Sequence, residues 1–435
     1  MKIEIQYRLL FLLSVILIGL VGCDDLSDYP VSSPVFHVQL PDDIVASQVS
    51  HDTLTFVDVS SGNVMKRTLS ETENLPMGLY NVSYKANVAL QRGDEKVEGI
   101  LKGALDNVFI GDGNQTYTFD TYLQIDRDDF IIEEIFFTGT LRGSGKQYYG
   151  DSYVKIYNNT DHVLYADGVA FVESKFVSTQ KYIYTPDIQK DTMTVQAIYV
   201  IPGSGKEHPV QPGESLVLCD TGIDHRVANP NSFDLSHADF EWYDVSTQPS
   251  HMDIDSETVP NLDKWYCYTL SFFVLHNRGF RSYAIARIPL EKEQYLKDYF
   301  YTYEYAIPSE SGNFPMTQSA YKLPNDWILD GVNCSVESEW QWNLLPITVD
   351  GGWTHCGKTD HDKTRYFKSV RRKMIALDNE GHRILKDTDN SSEDFNSECV
   401  PSIIEQQHSS IDAEGRKAEK ITYDGVQTVK EKVIE

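Results

Sequence analysis

Catalytic signatures are what these 435 residues lack first. No HExxH is present, which removes the metalloprotease helix. No Gly-x-Ser-x-Gly frame surrounds the serines of Gly143-Ser144-Gly145 or Gly203-Ser204-Gly205, so the nucleophile elbow is missing as well. Those same glycine loops run into Lys146 and Lys206 but lack the glycine spacing of a phosphate cradle. No CxxC occurs, and the spacing of the six cysteines fits no zinc pattern. These absences argue for a protein that is not an enzyme. Positive charge is also scarce: 38 Lys and Arg face 65 Asp and Glu, for a net charge of −27. Such a surface repels phosphate backbones and argues against nucleic-acid partners. The longest apolar run, Leu9 to Val21, is about 13 residues, short of the roughly 20 that span a bilayer as a helix.

That short run has another reading. Lys2 and Arg8 precede it and Leu20-Val21-Gly22-Cys23 closes it, the order of an export signal. The tetrapeptide resembles the lipobox of bacterial lipoproteins. The resemblance implies cleavage before Cys23, lipid on that cysteine, and anchoring to a membrane by several acyl chains. Without residues 1–22, which hold Lys2, Arg8 and Glu4, the net charge becomes −28 in place of −27. The run Asp24-Asp25-Leu26-Ser27-Asp28 resembles the surface-export signal of Bacteroidota lipoproteins, which implies display on the outer membrane surface. If Cys23 carries lipid, five cysteines remain, an odd number for an oxidising compartment.

The body of the chain reads as mainly β. Residues 23–34 form an acidic linker ending in Tyr29-Pro30-Val31-Ser32-Ser33-Pro34. Val35 to Leu40 then alternates as a half-buried strand does. Leu75-Pro76-Met77-Gly78-Leu79-Tyr80 is a turn leading into an alternating strand, with glycine for the turn and tyrosine packed at the strand start. Residues 35–127 on this pattern resemble a prealbumin-like sandwich. A second unit spans 128–400. It opens with Phe130-Ile131-Ile132-Glu133-Glu134-Ile135 and continues through Val154-Lys155-Ile156-Tyr157-Asn158-Asn159-Thr160. Pro212-Gly213-Glu214-Ser215-Leu216-Val217-Leu218 follows. It ends with Val370-Arg371-Arg372-Lys373 and Asp387-Thr388-Asp389-Asn390-Ser391-Ser392-Glu393-Asp394-Phe395. This series resembles the lamin-tail domain, an immunoglobulin-like β-sandwich. Lys155 departs from that pattern, which usually carries an acid there.

An α+β insertion is expected at about 225–325. It holds a helix from Pro289 to Phe300 and a buried strand from Leu270 to Leu275. Residues 401–435 turn hydrophilic and are expected to form a tail. The whole arrangement resembles an uncharacterised family of Bacteroidota surface lipoproteins. Members often accompany energy-coupled outer-membrane transporters, which implies a binding or accessory role and a transporter partner.

Three constellations could carry that role. Trp340 and Trp342 share a face if they lie in a strand, Trp265 lies in the insertion, and Tyr301, Tyr303 and Tyr305 alternate; together they are an expected ligand platform, with core packing as the plain alternative. Asp387, Asp389, Ser391 and Asp394 place oxygens at the spacing of a calcium loop. Ser392 stands where such a loop needs glycine, and a polar turn whose Asp and Ser side chains cap backbone amides is the plainer explanation. No cofactor is expected, and calcium is the one ion these residues could hold. His355, Cys356, Asp360, His361 and Asp362 cluster in a Gly- and Trp-rich stretch, where an exposed loop with Cys356 bridged to Cys334 competes with a metal site. The expected function is a non-catalytic, lipid-anchored binding protein of an uptake system. The alternatives are an adhesion protein whose insertion meets a protein partner and, more distantly, an enzyme acting on glycans.

Overall fold

The computed structural model describes residues 30–407, except 42–43, 62, 93–94, 114, 125–127, 250–251, 270, 310–311, 347 and 378–379. Cys23, the residues before it and residues 408–435 therefore lie outside the described residues. The chain is mainly β and forms two units. The first comprises 30–88 and 101–122, the second 89–100 and 123–407.

In the first unit, β1 (Val35–Gln39) precedes β2 (Val49–Asp58), β3 (Val64–Arg67), β4 (Gly78–Arg92), β5 (Glu95–Ile110) and β6 (Thr116–Asp120), with only residues 89–92 of β4 and 95–100 of β5 counted in the second. A sheet runs in the order β3-β2-β4-β5, and β1 pairs in parallel with β6. Burial alternates along β4, with Tyr80, Val82, Tyr84, Ala86 and Val88 all inside, as a sheet with one covered face requires. Phe36 meets Phe56 and Phe119 at 5.6 and 5.8 Å. The turn before β4 behaves as its sequence implies. Tyr80 folds back, its hydroxyl donates to Pro76 O at 3.1 Å, and a Cβ at Gly78 would stand only 3.2 Å from its ring.

The second unit is a two-sheet sandwich. Its strands are β7 (Ile131–Phe136), β8 (Tyr153–Tyr157), β9 (Val169–Ser174), β10 (Thr192–Val200), β11 (Ser215–Cys219), β12 (Phe240–Glu241), β13 (Asp263–Cys267) and β14 (Tyr283–Arg287). Helix α1 (Lys292–Asp298) follows, then β15 (Phe300–Ser309), β16 (Gly312–Pro324), β17 (Ile328–Val332), β18 (Ser369–Arg372), α2 (Ser391–Asp394), β19 (Phe395–Cys399) and α3 (Ser402–Gln407). One sheet has the order β12-β11-β8-β7-β18-β19. The other has β15-β16-β10-β9-β14-β17, with β13 also on β10. Ile132, Ile135, Val154, Ile156, Leu218 and Val370 from the first meet Val169, Phe171, Tyr199, Tyr283, Ile285 and Val332 from the second in one core.

Both outer faces are covered too. Tyr295 of α1 joins Val172, Val195, Ile198 and Ala284 behind the second sheet, and Ile403 and Ile404 of α3 join Phe136, Tyr153 and Phe233 behind the first. Every residue of β7 and β8 is consequently buried, so their strands carry no polar alternation. The charges they bury are paired. Lys155 donates to Glu133 at 3.1 Å, and Arg383 reaches the same carboxylate at 2.6 Å. These two cations outweigh the burial that would otherwise raise Glu133, and they hold its carboxyl well below the usual range. The departure from the lamin-tail pattern at Lys155 is thus half of a buried ion pair.

Three expectations need correction. The insertion expected in a loop at about 225–325 is built into the sandwich itself: β13, β14, β15 and β16 are strands of the second sheet. Residues 271–275 form no strand, although Phe273 and Leu275 are buried; Phe273 N donates to the buried Asp244 carboxylate at 2.8 Å instead of to a ladder. The chain beyond Pro401 is not all hydrophilic tail, because α3 buries Ser402, Ile403, Ile404 and Glu405. The expected helix exists but starts later. Glu291 is its N-cap, which leaves Pro289 before the helix and not at its first turn.

Candidate functional site

Four of the six expected platform residues converge. Strands β15 and β16 form a long hairpin in which Tyr301, Tyr303 and Tyr305 share a face with Ala320, Gln318 and Met316. Ring centroids lie 5.6 Å apart for Tyr301 and Tyr303, and 6.0 Å for Tyr303 and Tyr305. The loop after β9 supplies three rings that the sequence reading left out. Phe176 stacks on Tyr184 at 3.9 Å and meets Tyr303 edge-on at 5.2 Å. Tyr184 also stacks with Trp342 at 6.0 Å, and Tyr182 contacts Tyr305 at 4.9 Å. The missed signal is the alternation of Tyr182 and Tyr184, the same spacing that exposed the hairpin tyrosines.

Backbone and side-chain bonds fasten this cluster. Thr185 and Glu304 exchange two backbone hydrogen bonds at 2.9 Å, strapping the loop to the hairpin. Trp342 Nε1 donates to Val177 O at 2.9 Å. Tyr303 donates to Gln318 Oε1 at 3.1 Å, and Gln318 Nε2 donates to the Tyr305 hydroxyl at 3.3 Å. Tyr301 and Thr194 share a hydroxyl hydrogen bond of 2.5 Å. Burial pushes the Tyr301 phenol up to about 12 and raises Tyr184 and Tyr303 as well, so all three stay neutral. Tyr303 and Trp342 are buried, whereas Tyr182, Tyr184 and Tyr305 are half-buried at a rim that includes Lys181, whose Nζ lies 5.1 Å from the Trp342 ring.

The other two platform residues go elsewhere. Trp265 packs on Tyr295 at 5.8 Å, behind the second sheet. Residues 340–342 form no strand, so the two indoles diverge; Trp340 stacks on Trp353 at 5.6 Å and 6°.

Glu173, near the end of β9, is buried. It accepts from Gln196 Nε2 at 2.7 Å. Desolvation outweighs the nearby Arg281 guanidinium and lifts its carboxyl to about 7.

The expected calcium residues are all buried and already occupied. Arg372 ion-pairs with Asp330, with Asp387 at 3.1 Å and with Asp394 at 3.6 Å. Asp394 also accepts Thr388 N at 2.8 Å, Thr388 Oγ1 at 2.7 Å and Asn390 N at 3.1 Å. Ser391 donates both N and Oγ to Asp350 at 2.7 Å, and Asp389 adopts a left-handed φ of 53°. A calcium ion would compete with a guanidinium for the same oxygens. These residues serve to close the β18–β19 corner.

The His355–Asp362 stretch is likewise dispersed. Asp360 pairs with Arg278 at 2.8 Å, Asp362 caps Thr364 N at 2.9 Å, and His361 is exposed. Cys334 and Cys356 are buried thiols, not a bridge, as are Cys219 and Cys399; Cys267 is a half-buried thiol.

The molecule is thus defined as a mainly β protein with a two-sheet sandwich and a fastened aromatic cluster at one hairpin. The sequence profile of a family described as "Protein of unknown function (DUF4876)" matches residues 211–402. The fold is similar to the crystal structure of a DUF4876 family protein from Bacteroides thetaiotaomicron, at 20% identity and a TM-score of 0.55, over 85% of this chain and 95% of that one. No curated protein matches.

Proposed function

We propose that this chain is a lipid-anchored protein of the outer membrane surface that binds a ligand for an uptake system, without catalysing a reaction on it. The observation that carries this reading is the aromatic cluster at the β15–β16 hairpin. Its inner rings are fixed by hydrogen bonds, while Tyr182, Tyr184 and Tyr305 keep faces at the rim beside Lys181. Rigid rings with polar tips, held in advance, bind flat or ring-shaped ligands at small entropic cost. An energy-coupled transporter is the partner this role calls for.

Two experiments test the reading. The full chain is titrated against a glycan panel and haem. One class is expected to bind saturably, with the Tyr182→Ala/Tyr305→Ala double variant weakening it tenfold or more. Binding by no member, or equal binding by the variant, removes the ligand-site reading. For the anchor, Cys23→Ser is expected to move the protein from the membrane to the soluble fraction and to abolish labelling by a palmitate analogue. Retention in the membrane removes the lipoprotein reading.

A protein-partner role has one observation in its favour. Ile183 is 90% exposed and Phe314 is 55% exposed, on the same loop and hairpin that carry the cluster. Loss of a captured membrane protein on Ile183→Ser/Phe314→Ser would decide for it.

A further inference from the structure

A second group of chemistry-bearing side chains lies away from the aromatic cluster. Two short strands, Leu164–Tyr165 and Pro209–Val210, pair antiparallel in the second unit. One step past that ladder, Ala166 N donates to His208 O at 2.9 Å. The register therefore sets Asp167 against the Glu207-His208 pair.

Asp167 is the fixed member of this trio. Asp167 is 5% exposed, and its carboxylate accepts three backbone amides: Gly205 N at 3.1 Å and Glu207 N at 2.9 Å on Oδ1, and His208 N at 2.9 Å on Oδ2. A Cβ at Gly203 would overlap that carboxylate, so the loop closes only with glycine there, at φ +133°. From behind, Arg287 donates to Tyr165 O at 2.9 Å and Asp167 O at 3.2 Å, and Asp129 holds Arg287 at 2.5 Å. The His208 ring stands edge-on to Phe240 at 5.0 Å. Glu207 Oε1 accepts from Ser204 Oγ at 2.6 Å.

One ligand atom from each of Asp167, Glu207 and His208 lies within 4.8 Å of the others, the one such trio of His, Cys, Asp or Glu among the described residues. We infer that Asp167, Glu207 and His208 form a binding site for a divalent first-row transition ion of the zinc type. The donor set decides the class: an imidazole nitrogen with two carboxylate oxygens suits zinc or manganese, whereas calcium takes oxygens alone. Zinc ligands at about 2.0–2.2 Å from the metal stand about 3.4 Å apart in a tetrahedron, so the trio draws in around the ion from its 4.8 Å spread, with the exposed Glu207 giving up its bond to Ser204. Asp167 Oδ2 accepts a single amide and so keeps a lone pair for the metal. The amides that fix Asp167 act as the outer shell that orients a metal-binding carboxylate. Lys206, the adjacent cation, stands over the Tyr165 ring at 6.0 Å. Three protein ligands leave a fourth position for water or for a group on a bound molecule.

The test uses the full chain in mild detergent, stripped with a chelator and titrated calorimetrically with zinc, manganese and calcium chlorides. One equivalent of zinc is expected to bind, calcium is not, and His208→Ala is expected to weaken zinc binding at least tenfold. The melting temperature of each metal-free variant reports folding; if His208→Ala fails to fold, the exposed Glu207→Gln carries the same expectation. Absence of saturable zinc binding, equal binding by the folded variant, or calcium binding as tight as zinc overturns the inference.

Discussion

Arg372→Leu is expected to destabilise the second unit by about 3–5 kcal/mol, the cost of removing one partner from a buried ion pair. Arg372 and its three carboxylates are all within a few per cent of complete burial. The guanidinium also donates Nε to Ile132 O at 2.7 Å and Nη1 to Lys386 O at 2.9 Å, and its plane lies 4.6 Å from the Phe395 ring. One side chain therefore ties β7 and β18 to the Asp387–Asp394 corner. Burial alone would disfavour its charge, but Asp330, Asp387 and Asp394 outweigh that and raise its affinity for the proton. Leucine leaves those acids without a cation. At about 2–4 °C per kcal/mol for a unit of this size, the melting temperature falls by about 10 °C. Adding Asp330→Asn to Arg372→Leu should return part of the loss, since a neutral, well-packed replacement of a buried pair costs little. Thermal unfolding of the two variants checks this; a drop under about 2 °C for the single variant would sink the argument.

Stability is expected to fall as pH rises from about 4.5 to 7, and Glu173→Gln is expected to flatten that fall. The sign follows from the raised carboxyl. Glu173 titrates at about 7 when folded and near 4.3 when unfolded. Between those values the native state holds a proton that the unfolded chain has released, so the stabilisation is complete below about 4.3 and lost as pH passes 7. Glutamine is neutral at every pH and still meets Gln196. The variant should match the parent at pH 4 and exceed it at pH 8 by about 2 kcal/mol, from 1.36 kcal/mol per pKa unit discounted for local relaxation. Asp350, also lifted to about 7 by burial, adds to the same slope in the parent. Denaturant unfolding at the two pH values decides it; a variant less stable than the parent at pH 8 would refute the raised carboxyl.

Particular residues show why parts of this molecule were readable from sequence. The Arg371-Arg372 strand and the Asp387–Asp394 turn were legible as one group because Arg372, Asp387 and Asp394 are close in the chain and serve one corner. Their partner Asp330 was not, since 42 residues separate it from Arg372. The hairpin tyrosines were legible through their alternation, a direct product of strand geometry. Trp265 and Trp340 failed for the opposite reason: the face of an isolated strand, or of no strand at all, is fixed by tertiary packing. The stretch at about 225–325 read as an insertion because helix and strand signals alternate within it. Only the pairing of Ala197 with Cys267 and of Val195 with Tyr321 shows it completing an existing sheet. Asp167 and His208 stand 41 residues apart, and nothing local announces that a two-rung ladder joins them.

The interleaving of the two sheets has a consequence for how the chain acquires its structure. Strand β7 is near the start of the second unit, and its neighbour β18 arrives more than 230 residues later, with Glu134 opposite Arg371 and Ile135 opposite Val370. β19 and α3 come later still, and Ser402 N donates back to Glu134 at 2.9 Å. Such distant pairings require large loops to close before any contact rewards them, which slows folding. A chain threaded out of a ribosome or across a membrane from its N-terminus cannot seal this core until residues near 400 have emerged. Residues 211–402, the stretch matched by the family profile, lack β7 to β10 and so lack the middle of both sheets. That stretch by itself leaves its remaining strands without their central partners.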